Sequence, residues 1–145
     1  MGITSLRERC EHAHRSFFAA DDLETEVGMC LPASLALQAR LRAAGLDASL
    51  ARGTFAIDFP DPEAYASDSD EPPAWAYTPV HYWVMVDDVI CDITGGQFAD
   101  ECDEEISAVT VTAADRFAAG RYTLHELDPD VDPPDEHRAW VQARS

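Results

Sequence analysis

At 145 residues the chain has room for one domain with a sizeable core, and no apolar run approaches the roughly 18 residues of a membrane span. Its 28 Asp and Glu stand against ten basic residues, every one an arginine, and the formal charge of −18 repels phosphate backbones, which argues against a nucleic-acid partner. The polar N-terminus lacks a signal-peptide core, so the expectation is a soluble, cytoplasmic protein with no membrane partner.

So much like charge works against a compact state in ordinary salt, whereas about 1 M salt shortens the screening length to about 3 Å. The composition fits a halophilic source; the alternative is one unusually acidic protein from an ordinary GC-rich genome. Cys10, Cys30, Cys91 and Cys102 include no CxxC pair and read as buried thiols with room for one reactive one. Cys10, His12 and His14 do not suggest zinc, because on a helix His12 points away from the face that Cys10 and His14 share. With no Gly-rich phosphate loop, HExxH helix or paired metal motif, neither cofactor nor metal is expected.

In chain order, Ser5 and Glu8 make a capping-box pattern, and Leu6, Cys10, Ala13 and Phe17 follow at helical spacing, which predicts an amphipathic helix over 5–19. From Leu31 to Ala44, Leu and Ala run almost all round a helix, the pattern of a buried central helix, with Pro32 in its first turn and Gly45 at its stop. A strand is predicted over 48–59. Residues 60–79, rich in Pro, Asp and Ser, are expected to form a long acidic surface loop. Val80–Val86 and Val89–Thr94, separated by Asp87 and Asp88, predict a hairpin. Further strands over 107–111 and 121–127 around a short helix starting near Thr112, and a terminal helix over about 133–143 carrying Trp140 and Val141, complete the expected α+β fold.

Cys30 falls at the N-terminus of the central helix, where unpaired N–H groups and the macrodipole favour a thiolate. If Asp87 and Asp88 make a two-residue turn, Val86 pairs with Val89, Trp83 with Asp92 and His81 with Thr94, which makes His81 and Asp92 diagonal neighbours on one face. A Cys-His-Asp triad follows: Cys30 attacks, His81 moves the proton, Asp92 holds His81. Each residue has a plainer role open to it, as a small core thiol, a packed strand histidine and a turn aspartate.

The stretch Cys30-Leu31-Pro32-Ala33-Ser34-Leu35-Ala36-Leu37, continuing to Leu41, Gly45 and Gly53, resembles the nucleophile helix and following strand of bacterial transglutaminase-like proteins, nearest to lasso-peptide leader peptidases. His81-Tyr82-Trp83-Val84 and Asp92 resemble the His-x-Trp-Val strand and following Asp of those proteins. Asp92-Ile93-Thr94-Gly95-Gly96-Gln97-Phe98 is similar to a segment of papain-fold proteins that include toxin domains.

The resemblance covers about residues 28–98 and implies a single papain/transglutaminase-like domain, with its core over about 28–127, that cleaves or transfers amide-linked acyl groups of a peptide or protein substrate. A noncatalytic binding module on the same fold is the alternative from another class. Glu24 stands six residues before Cys30, where papain-type proteins carry an oxyanion Gln, so Gln97 is the candidate amide donor instead. Tyr82 and Trp83 join Gln97 as candidate substrate-binding residues.

Overall fold

The computed structural model describes residues 2–18, 29–55, 80–95, 108–114 and 122–145. Two helices, α1 (Ile3–Phe17) and α2 (Cys30–Ala43), precede strands β1 (Ala48–Phe55), β2 (Val80–Val86), β3 (Val89–Asp92), β4 (Thr110–Ala113) and β5 (Tyr122–Leu127), and α3 (Asp135–Arg144) closes the chain. The strands form one antiparallel sheet in the order β4-β3-β2-β1-β5, so the described chain is α+β. Among the described residues no helix is long and apolar enough to cross a membrane.

The central helix ends as its sequence dictates. Gly45, at a φ of 88°, adopts the left-handed conformation that only glycine takes without strain, and two bonds close the end: Gly45 N–H to the Arg42 carbonyl at 2.9 Å and Leu46 N–H to the Leu41 carbonyl at 3.0 Å. Ala33, Ala36, Leu37 and Leu41 are buried against Ala48, Val84 and Val86 of the sheet. Each of the two leucines contributes roughly 1.5–3 kcal/mol by that burial. Gln38 Nε2 and Arg42 Nε both donate to the Ala48 carbonyl, at 3.2 and 2.9 Å, so the far end of α2 is tied to the start of β1.

The predicted stripe Leu6, Cys10, Ala13 and Phe17 of α1 is buried, but the helix starts earlier than its capping box implies. Ser5 and Glu8 lie inside the first turns, and Gly2 is the N-cap, its carbonyl accepting from Leu6 N–H at 3.1 Å. The apolar stripe, not the local cap, decides where the helix begins. At the other end of the chain Trp140 of α3 meets the Phe17 and Phe18 rings, with centroids 5.7 and 5.9 Å away. Arg40 Nε donates to the Arg144 carbonyl at 2.6 Å and so joins α3 to α2.

The β2–β3 hairpin has the expected register, with Val86 opposite Val89 and Val84 opposite Cys91. Asp87 takes a φ of 53°, as a tight two-residue turn requires. The helix expected to start near Thr112 is entered at Ala114, directly after β4, and residues 115–120 lie outside the described residues. Thr112 lies in β4 opposite Ile90, because Val111 and its β-branched neighbours fill the sheet edge and bury Val111 against α1 and α2. The sheet separates two apolar clusters. Val84, Val86, Cys91 and Val111 face the helices, while Trp83, Met85, Ile90, Ala51, Phe55 and Tyr122 cluster separately.

Candidate active site

Cys30 is the first residue of α2, behind Met29 as N-cap, with no side-chain cap and no acidic residue in the first turn. Ala33 N–H is bonded to the Met29 carbonyl at 2.9 Å and Pro32 has no N–H, which leaves those of Cys30 and Leu31 at the positive end of the helix dipole. The thiol beside them is partly exposed.

His81 and Asp92 come from the two strands of the hairpin and are fully buried. The β2–β3 ladder stops at Val84 and Cys91, one pair short of Trp83 and Asp92, yet the diagonal contact forms: His81 Nε2 donates to Asp92 Oδ2 at 2.9 Å. With Nε2 so engaged, Nδ1 is the ring nitrogen left for the hydrogen bond between His81 and the Cys30 thiol. The Tyr82 N–H, beyond the last β2–β3 pair, is aimed at the same sulfur.

Both oxygens of Asp92 are saturated. Oδ2 also accepts from the Tyr122 hydroxyl at 2.6 Å, and Oδ1 accepts from Thr94 N–H at 3.0 Å and from its hydroxyl at 3.4 Å. Around the imidazole stand Phe55, edge-on with centroids 5.3 Å apart, Trp83 at 6.0 Å and Tyr122 at 6.4 Å.

The titration behaviour follows from these contacts. Burial pushes the Asp92 carboxyl up, but the His81 charge and hydrogen bond, then the Tyr122 and Thr94 bonds, hold it below its ordinary value. Burial pushes His81 down, yet the charge and hydrogen bond of Asp92, followed by those of Cys30, raise it to about 9. For Cys30, burial pushes up, and the hydrogen bond and charge of His81 with the Tyr82 amide overcome it, so its pKa falls despite a small opposing push from Asp92. All three shifts favour the charge sequence thiolate, imidazolium, carboxylate.

The structure thus brings Cys30, His81 and Asp92 together. Of the residues expected to bind substrate, Tyr82 is half-buried and offers its backbone amide to Cys30. Trp83 is 1% exposed, packed over Gly53 and edge-on to Tyr122 at 5.1 Å, which takes it off any surface a substrate would touch. Gln97, Glu24, Cys102 and the acidic loop 60–79 lie outside the described residues. Cys10 and Cys91 are buried together; the hydrogen bond of the Cys91 thiol to Cys10 and then burial push the Cys91 thiol up, so it stays neutral. Among the described residues no group of His, Cys, Asp and Glu could hold a metal ion.

Thr94 and Tyr122 were not expected at the site. Asp-x-Thr is a local signal, since an aspartate commonly accepts from the N–H two residues on. Tyr122, thirty positions from Asp92, gives none.

A groove of about 360 Å³ is lined by Arg52, Gly53, Thr54 and Val80 at one end of the β1–β2 ladder and by His125 and Glu126 of β5; Cys30, His81 and Asp92 are not among its lining residues. Val80 is an exposed apolar side chain there. No family model, no curated protein and no solved structure matches the chain.

Proposed function

We propose that the protein is a cysteine hydrolase that cleaves a peptide or isopeptide amide bond in a peptide or protein substrate, on a fold of the papain/transglutaminase-like kind. The observation that carries this is the hydrogen-bonded path from the Cys30 thiol at a helix start, through His81, to the saturated carboxylate of Asp92.

The Cys30 sulfur attacks the amide carbonyl carbon, and the oxygen, as it gains negative charge, is met by the free N–H groups at the start of α2. The His81 imidazolium gives its Nδ1 proton to the leaving amine as the C–N bond breaks, which leaves a thioester on Cys30. A water molecule then loses a proton to Nδ1 and attacks the thioester. Sulfur departs as thiolate, the product acid is released, and the thiolate–imidazolium pair is restored. Asp92 stays ionised throughout and fixes the ring so that Nδ1 faces the sulfur.

The test is turnover of a fluorogenic peptide library, with intact-mass detection of an acyl adduct on Cys30. Cys30→Ala should keep the fold, melting within a few degrees of wild type because the side chain is partly exposed, and should abolish turnover and adduct. Absence of turnover together with iodoacetamide labelling of Cys30 no faster than that of Cys10, Cys91 and Cys102 in the folded protein overturns the proposal.

A further inference from the structure

We propose that Tyr122 is a positioning residue of this site: its hydroxyl, donated at 2.6 Å to the same Asp92 oxygen that binds His81, keeps Asp92 ionised and in place, and through it the Cys30–His81 pair. The inference rests on Cys30 being the nucleophile.

Tyr122 opens β5, whose partner in the sheet is β1, so the residue reaches the hairpin from the far side of β1. Its ring is 2% exposed and wedged edge-on between Phe55 and Trp83, at 5.2 and 5.1 Å. Phenylalanine would serve that packing as well. A hydroxyl inside an aromatic cluster needs an acceptor, and the acceptor here is the carboxylate of the proposed triad.

A fully buried carboxylate remains ionised only while donors and a positive charge surround it. The groups that meet Asp92 are His81 of β2, Tyr122 of β5, Thr94 on the segment after β3, and the Cys30 thiol of α2; the neutral Cys91, with Cys10 of α1 behind it, flanks it in sequence. Without the Tyr122 hydroxyl, Asp92 takes up a proton at higher pH. A neutral Asp92 no longer supports the imidazolium, burial then drives the His81 proton off, and Cys30 loses the charge that favours its thiolate. The acid edge of Cys30 reactivity therefore moves to higher pH.

The experiment measures the rate of Cys30 carboxamidomethylation by iodoacetamide against pH, by peptide mapping of the full chain, with thermal melting alongside. Tyr122→Phe should raise the acid-side midpoint by about one pH unit, which is a roughly tenfold slower reaction on that limb, while Tm falls by only a few degrees and the variant stays folded. A second variant, with 3-fluorotyrosine installed at position 122, keeps the ring and makes the O–H a stronger donor, so its midpoint should fall. Midpoints unchanged in the folded variants overturn the positioning role and leave the nucleophile untouched. Wild-type Cys30 reacting no faster than the other three cysteines instead sinks the nucleophile itself, and the inference with it.

Discussion

Trp83 lies across Gly53 so closely that a methyl group at position 53 would stand 2.7 Å from the indole and run into the Thr123 carbonyl. The contact sits where the β1–β5 pairing shifts register, between Arg52 and Gly53. Gly53→Ala should therefore displace β5 or the indole and cost about 2–3 kcal/mol by overpacking. Denaturant titration checks this. A loss below about 0.5 kcal/mol would mean that β5 moves aside freely, and Tyr122 with it.

Asp92→Asn keeps the shape of the carboxylate and removes its charge. With the charge gone, burial of His81 is opposed only by the thiol, and the imidazole pKa should fall from about 9 to below its ordinary 6.5. Titration of the His81 ring by NMR gives the answer directly. A pKa still near 9 in the variant would show that Cys30 alone sustains the imidazolium.

The same pKa has a sign in the stability of the fold. Because the folded value, about 9, lies above the ordinary 6.5, the contribution is fully present below pH 6.5 and is lost as pH rises through 9. It amounts to on the order of 3 kcal/mol. The difference in unfolding free energy between wild type and His81→Asn, followed from pH 6 to 10, should narrow across that window. Taking the difference cancels the titration of the acidic surface, and a constant difference would contradict the assignment.

Salt should act on the surface and spare the site. With a formal charge of −18, Tm should climb as KCl rises from 0.1 to 2 M, while the buried His81–Asp92 contact, with both side chains at 0% exposure, is insulated from the added ions. The NMR pKa of His81 should then move far less than the melting temperature gains. A flat Tm across the series would remove the link between this composition and concentrated salt.

What the sequence discloses is local. The hairpin can be written down from Asp87 and Asp88 and the β-branched runs beside them, because a two-residue turn dictates the register and the register carries His81 to Asp92. The position of Cys30 follows from Pro32, Gly45 and the apolar helix between them. The partners of β1 are not local: β5 joins it from almost seventy residues away, and nothing in the alternation of Tyr122–Leu127 names its neighbour, so Tyr122 is invisible as a donor to Asp92. Trp83 fails as a substrate contact for a related reason, since an aromatic residue on a strand gives no sign of which face will be covered. Thr112 itself stays in β4 opposite Ile90, and the helical start expected near it falls two residues later, at Ala114.

The two bonds from Gln38 and Arg42 to the Ala48 carbonyl, with the glycine-terminated stop beyond them, make α2 a rigid rod clamped at one end, and Cys30 is its free tip. A helix turns about 100° and advances about 1.5 Å per residue. Adding or removing a single residue between Cys30 and the clamp would swing the sulfur to a different side of the axis and leave His81 facing a backbone. A substitution along the rod that keeps its packing leaves the sulfur in place, whereas a change of length does not, so the contact between Cys30 and His81 depends on the spacing from nucleophile to clamp.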